Sequence, residues 1–114
     1  GRDDSGWTPL MNACRGGHLE CAEALIEAGA AVDIVNNHGV TALMHACNYG
    51  HHECAQALIV AGAAVDMVDN NGNTALMWAC AKGHHECAQA VIDTGAAVDM
   101  VDNYGWTALM HACM

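Results

Sequence analysis

The chain has 114 residues, of which 54% are apolar, and it contains no Phe and one Pro. This length suits a single small domain, and the composition favours short, closely packed helices over a β-sandwich. With 3 Lys and Arg against 13 Asp and Glu, the net charge is −10, which argues against nucleic acid as a partner and favours basic partners.

The seven cysteines are an odd number and accompany no recognisable secretory signal. We therefore expect free thiols, a reducing compartment and an intracellular, cytoplasmic location. No apolar run approaches the roughly 18 residues that a membrane-spanning helix needs, and an acidic chain is repelled by anionic lipid. We expect no membrane partner.

One sequence unit recurs along the chain. Residues 6–38, 39–71 and 72–104 align without a gap, and a fourth copy, GWTALMHACM, occupies residues 105–114. The starts at positions 6, 39 and 72 set a period of 33 residues, which is typical of stacked supersecondary units. We predict one domain over residues 1–114, made of three full repeats, one partial repeat and an N-terminal extension over residues 1–5.

The elements of one unit follow in order in the second copy. Thr41 suits a helix N-cap, and a first helix is predicted over about residues 42–49, ending at Gly50. A second helix is predicted over about residues 52–61, ending at Gly62. The segment AAVDMVDNNG then predicts an extended, hairpin-like connection to the next copy, because Asn-Asn-Gly is a strong turn signal.

This frame resembles the ankyrin repeat. The matching motifs are G-x-T-P/A-L-x-x-A, then G-H, then L-I-x-x-G-A-x-V-D, carried by Thr8-Pro9-Leu10, Thr41-Ala42-Leu43, Thr74-Ala75-Leu76, Gly17-His18, Gly50-His51 and Gly83-His84. The resemblance implies an all-α ankyrin-repeat solenoid, in which stacked helix-turn-helix units are joined by hairpin-like finger loops.

Two departures from the ankyrin pattern bear on stability. The family's usual His after T-P-L is replaced by Met at positions 11, 44, 77 and 110, which implies the loss of a side-chain hydrogen bond. Polar capping repeats are also missing. Leu109, Met110 and Met114 of the partial repeat are therefore expected to be exposed and to promote self-association through the uncapped repeat ends.

The octapeptide GHHECAQA occurs at residues 50–57 and again at 83–90, and its His and Cys could be metal ligands or packing residues. On a helical wheel, His51 and Cys54 share the inner face with Leu58. Zinc needs about four ligands at 2.0–2.3 Å, whereas equivalent residues of stacked helices lie about 8–10 Å apart. The same spacing exceeds the ~7 Å limit for disulfides between equivalent cysteines.

These residues are therefore predicted to pack, with no metal, cofactor or catalytic residue expected, so the chain is not predicted to be an enzyme. A Cys–His nucleophile repeated in each copy lacks the asymmetric pocket that catalysis needs. Metal or redox sensing through the thiols is the weakest of the hypotheses.

Differences between the copies concentrate on one face of the first helix and on the turn tips. His45, Asn48 and Tyr49 are spaced i, i+3 and i+4, and in the ankyrin family this face and the fingers form a concave groove that binds protein partners. The residues predicted to bind a protein or peptide partner are Trp7, Asn12, Arg15, Val40, His45, Asn48, Tyr49, Asn73, Trp78, Lys82, Tyr104, Trp106 and His111.

The leading hypothesis is a non-enzymatic protein-interaction module with Trp78 as its first anchor. Neutral drift, with aromatic side chains shielding the helix seams, is the alternative for these positions. For the whole chain, the alternative is a designed or excised, consensus-like structural array with no cognate ligand. The finger acids Asp66, Asp69, Asp99 and Asp102 suit either a solvated edge or the steering of basic partners.

Overall fold

A computed structural model of the chain describes residues 6–112. All regular structure in this range is helical, with two helices in each full repeat and one in the partial repeat: α1 Pro9–Gly16, α2 Leu19–Glu27, α3 Ala42–Tyr49, α4 His52–Val60, α5 Ala75–Ala81, α6 His85–Ile92 and α7 Ala108–Ala112. The predicted helices over residues 42–49 and 52–61 are confirmed to within one residue. None of these helices is both long and apolar enough to cross a membrane.

Each first helix begins at a threonine and is short. The Oγ1 atoms of Thr8, Thr41 and Thr74 each accept a hydrogen bond of 3.2 Å from the backbone N–H three residues later. This bond satisfies one of the donors that a helix start leaves open. The first two of these helices end at Gly17 and Gly50, whose left-handed φ angles of 74° and 77° favour glycine.

Met44 and Met77 each accept a hydrogen bond, although the replacement of His by Met was predicted to remove one. The Thr41 N–H donates to Met44 Sδ at 3.5 Å, and the Thr74 N–H donates to Met77 Sδ at 3.5 Å. The prediction is therefore wrong at these two positions. Thioether sulfur is a weak acceptor, so the bond is weak, while the buried side chain fills the core.

The helices form two parallel rows. α1, α3, α5 and α7 pack in sequence in one row, and α2, α4 and α6 pack in sequence in the other. The core lies between the rows and contains the repeated Leu10, Leu43 and Leu76 together with Leu58 and Val91. Each helix therefore gains its stability from neighbouring repeats, as expected for helices too short to be stable alone.

His51, His84, Cys54 and Cys87 are packing residues, as predicted, whereas the equivalent His18 and Cys21 of the first repeat are exposed. His51 and His84 precede the second helices, and each ring lies against the glycine that ends the previous repeat's first helix. A Cβ atom added to Gly17 would lie 2.7 Å from the His51 ring, and one added to Gly50 would lie 2.7 Å from the His84 ring. Cys54 is fully buried beside them in the core.

The fingers, residues 36–40, 69–73 and 102–106, are tight turns that bond to one another. In the first, the Asn36 N–H donates to the Val40 carbonyl at 3.1 Å. Successive fingers are joined by the Asn70 N–H to the His38 carbonyl and the Asn103 N–H to the Asn71 carbonyl, both at 2.9 Å. These bonds hold the fingers in a row beside the first helices.

Candidate functional site

A cavity of about 480 Å³ lies between the row of first helices and the fingers. We call it the groove cavity. α1, α3 and α5 form one wall, and the fingers over residues 36–40 and 69–73 form the other. The lining residues are Trp7, Arg15, Asn36, His38, Val40, Met44, His45, Asn48, Tyr49, Asp69, Asn70, Asn71 and Trp78.

The structure brings seven of the thirteen sequence-predicted residues together in this cavity: Trp7, Arg15, Val40, His45, Asn48, Tyr49 and Trp78. The remaining six do not line it. Asn12, Lys82 and Tyr104 are exposed, and Asn73, Trp106 and His111 are half-buried. Trp106 and His111 form a separate contact, with ring centroids 5.6 Å apart.

One end of the groove cavity is built from stacked aromatic rings and a cation. The Arg15 guanidinium carbon lies 5.4 Å from the Trp7 ring centroid and 5.6 Å from the Tyr49 ring centroid. Trp7 in turn stacks on His45, with centroids 4.3 Å apart and ring planes 30° apart. These contacts hold four side chains of the wall in place before any partner binds.

A buried finger aspartate holds the indole of Trp78. Asp69 Oδ1 accepts hydrogen bonds of 2.9 Å from the backbone N–H groups of Asn71 and Asn73. Its other oxygen, Oδ2, accepts a bond of 3.2 Å from Trp78 Nε1. One carboxylate therefore closes the finger turn and also fixes the orientation of the first-helix side chain.

The next repeat uses the same arrangement. Asp102 Oδ1 accepts bonds of 2.9 Å from the N–H groups of Trp106 and Tyr104, and Oδ2 lies 2.9 Å from His111 Nε2. The hydrogen bond from the Trp106 backbone is the largest of the influences that lower the pKa of Asp102. Like Asp69, it is a buried turn brace, so the solvated-edge role does not apply to these two acids, and the steering of basic partners stays a prediction.

The first finger departs from this arrangement because Asn36 replaces the aspartate. Asn36 Oδ1 still accepts from the N–H groups of His38 and Val40, at 2.9 and 3.1 Å. However, no hydrogen-bond partner within residues 6–112 reaches the buried His45 Nε2, and the same holds for Asn48 Oδ1. Burial, together with the positive charge of Arg15, lowers the pKa of His45 to about 4, so its ring is neutral at pH 7.

Sequence reasoning missed most of the finger wall, including Asn36, His38 and Asn70, and it named Asp69 only as a charged finger residue. A signal for part of it was present. Three pairs of residues are each separated by nine positions: Asn36 and His45, Asp69 and Trp78, and Asp102 and His111. A search for paired polar positions at this offset would have indicated the contact.

The two helix rows and the finger row correspond to a recognised repeat family. The chain matches the family model for ankyrin repeats (3 copies) over residues 1–69 and again over residues 49–114. It belongs to the ankyrin-repeat family. Ankyrin repeats generally mediate protein–protein interactions and are generally non-enzymatic binding modules. Comparison with curated proteins found no match.

Four thiols of this ankyrin-repeat chain are buried in its core, whereas Cys21 is exposed and Cys80 is half-buried. Cys14, Cys47, Cys54 and Cys87 are free and buried. Burial is the main cause that raises the pKa of Cys14 to about 12, and a hydrogen bond with Cys87 is the main cause that raises the pKa of Cys47. Thiols with raised pKa values are poor nucleophiles and poor metal ligands. Within residues 6–112, no three His, Cys, Asp or Glu side chains are grouped as a metal site.

Proposed function

We propose that the chain is a non-enzymatic interaction module that binds a protein or peptide in the groove cavity. The observation that carries this proposal is the convergence of Trp7, Tyr49 and Trp78 on one cavity, with Trp78 fixed by Asp69. Trp and Tyr supply large contact areas and dominate binding hot spots. Because their orientations are set beforehand, little conformational entropy is lost on binding.

The aromatic side chains of the cavity wall define the chemistry of the occupant. Trp7, Tyr49 and Trp78 line the cavity, whereas Asn48 Oδ1 and His45 Nε2 are buried and have no hydrogen-bond partner within residues 6–112. Trp and Tyr rings offer large apolar contact areas, so a peptide segment with an apolar side chain against Trp78 suits the cavity.

The charges of the groove cavity favour protein over nucleic acid. Arg15 is its single Lys or Arg, whereas phosphate recognition draws most of its affinity from several such residues. We extend the binding surface beyond the cavity to the exposed Asn12, Lys82 and Tyr104 and to the half-buried Asn73, Trp106 and His111, which continue the first-helix and finger rows. An overall charge of −10 favours partners with basic character.

The repeats themselves suggest a matched variant, because His111 of the partial repeat occupies the position equivalent to Trp78. We expect Trp78→His to keep the hydrogen bond to Asp69, because His111 Nε2 lies 2.9 Å from Asp102 in the equivalent place. Peptides would be selected on the wild-type protein from a random display library, and their affinities measured by calorimetry. Loss of a tryptophan hot spot should weaken binding by about thirtyfold.

Two further variants complete the test. Tyr49→Lys introduces the residue of the equivalent position, Lys82, and should also weaken binding, whereas Val60→Glu on the second-helix row should leave it unchanged. Selected peptides that bind Trp78→His and Tyr49→Lys as tightly as the wild type would show that the groove cavity is not the binding site.

The structural-array hypothesis is retained as the alternative because the repeats are so alike. Residues 50–57 and 83–90 are identical, and the three full units align without a gap. A designed or excised array without a cognate ligand would yield no specific peptide from the same library. That outcome would favour the alternative over the groove proposal.

A further inference from the structure

A second and larger cavity, of about 760 Å³, crosses the outer faces of α2, α4 and α6. We call it the acidic trough. It shares no lining residue with the groove cavity, so binding in the trough is independent of the proposed function. The trough lies on the row of second helices, and its lining differs chemically from that of the groove cavity.

The floor of the trough is apolar. Leu19 and Ile26 line it from α2, and Ala57 and Val60 line it from α4. Val60 is 78% exposed, so its side chain is open to a partner. The equivalent positions in the neighbouring repeats carry Glu27 and Asp93, so valine is not required there by the fold.

The walls of the trough are acidic. Glu23, Glu27, Glu53, Glu86 and Asp93 line it, without a Lys or Arg. The two cations within residues 6–112, Arg15 and Lys82, belong to α1 and to the end of α5. Glu86 lies 3.5 Å from His52, an exposed pair that a stronger cation can displace.

We propose that the acidic trough binds a basic amphipathic helix of a partner protein. Packed helices lie about 8–10 Å apart, so three in a row span about 16–20 Å, and a helix of about twelve residues has a length of ~18 Å. Leu side chains on one face of that helix cover Val60 and its apolar neighbours. Lys and Arg at the flanks of that face meet the carboxylates, which sets both orientation and charge specificity.

The test uses three synthetic 14-residue peptides of defined chemistry in calorimetric titrations at low salt. The first has Leu at i, i+3, i+4 and i+7 spacing with Lys elsewhere, the second has the same residues with Leu scattered around the helix, and the third replaces Lys by Glu. We expect one-to-one binding of the first peptide only. Its affinity should fall as salt rises, because screening weakens exposed charge pairs.

Variants separate the apolar and the charged contributions. Val60→Glu should weaken binding by about tenfold despite adding a negative charge, because the buried valine contact is lost. Glu27→Gln combined with Glu53→Gln should weaken binding and flatten its salt dependence. Trp78→His, in the groove cavity, should leave the affinity unchanged.

Each opposite result would overturn the proposal. Equal binding of the scattered-Leu or the Glu peptide would show unspecific adhesion, and undiminished binding by Val60→Glu would show that only net charge matters. Loss of binding in Trp78→His would place the peptide in the groove cavity, and no binding of the first peptide to the wild type would exclude the trough as a site. Circular dichroism of each variant verifies folding.

Discussion

Single finger residues determine which first-helix side chains of the groove cavity are held by a hydrogen bond. In two fingers, one oxygen of an aspartate accepts hydrogen bonds from two backbone N–H groups. The other oxygen is hydrogen-bonded to a first-helix side chain. Asn36 in the first finger retains the backbone bonds but leaves His45 Nε2 without a partner within residues 6–112. Asn36 thus braces its own turn, whereas Asp69 and Asp102 brace both the turn and a first-helix side chain.

This arrangement predicts that stability falls as the pH is lowered. The pKa of His45 is about 4 in the folded state and about 6.5 in an unfolded chain. Between these values the unfolded state binds more protons, so acidification favours unfolding. Above pH 6.5, the titration of His45 does not change the free energy of unfolding. At pH 5 it should lower that free energy by about 2 kcal/mol, as measured by urea unfolding.

Two variants control for the other titrating groups. His45→Asn, which introduces the residue of the equivalent position 12, should lose less stability between pH 7 and pH 5 than the wild type does. Asn36→Asp should supply the missing acceptor and raise the pKa of His45, as followed by NMR titration of the ring protons. Equal pH sensitivity in the wild type and His45→Asn would refute the assignment.

At the scale of elements, the contact between a helix-ending glycine and the next repeat's histidine sets how closely repeats approach. Gly50 combines a left-handed φ of 77° with a position where a Cβ would lie 2.7 Å from the His84 ring. Gly83 has a similar φ of 73°, but no atom lies within 4 Å of its added Cβ. The two positions thus separate backbone strain from inter-repeat packing.

We expect Gly83→Ala to destabilise the protein by about 1–2 kcal/mol, from left-handed backbone strain alone. Gly50→Ala should cost about 1–3 kcal/mol more, because the histidine ring must move. In a His84→Ala background this additional cost should disappear, which a double-mutant cycle of chemical denaturation curves measures. Equal costs at the two glycines would mean that the histidine contact does not couple the repeats.

At the scale of the whole molecule, the two helix rows leave an apolar surface at the α7 end. α7 packs against α5, and within residues 6–112 no helix covers its opposite side. Leu109 is 73% exposed and Met110 is also exposed, as the sequence predicted, while Met114 lies outside the described residues. We propose that this apolar surface contacts a second copy of the chain, in a heterologous contact that need not close into a symmetric oligomer.

Self-association should therefore increase with protein concentration in sedimentation velocity experiments. Leu109→Glu should shift the distribution towards monomer, since burying an unpaired carboxylate at an apolar contact is costly. Val60→Glu removes a similarly exposed aliphatic side chain from the acidic trough and should leave the distribution unchanged. Association that persists in Leu109→Glu would place the contact elsewhere.

Sequence alone was sufficient to predict the fold and part of the site because both depend on local, repeated signals. Thr41 caps the start of a helix with its side chain, Gly50 ends that helix with a left-handed backbone, and the 33-residue period repeats this geometry. The variable positions 45, 48, 49 and 78 were predicted to share a surface, and they do line one cavity. The weak bond to Met44 Sδ was not predicted, because it depends on the rotamer of a flexible side chain.

The amino-acid sequence by itself thus determined the repeat, its helices and the side chains that occupy the core. Only the tertiary structure decided that Asp69 orients Trp78 and that Val60 lines one acidic trough together with Glu27 and Asp93. The reason is physical: helix limits follow from neighbouring residues, whereas these contacts join different elements. Their formation depends on how far apart the stacked repeats settle and on the angle at which each finger meets its helix.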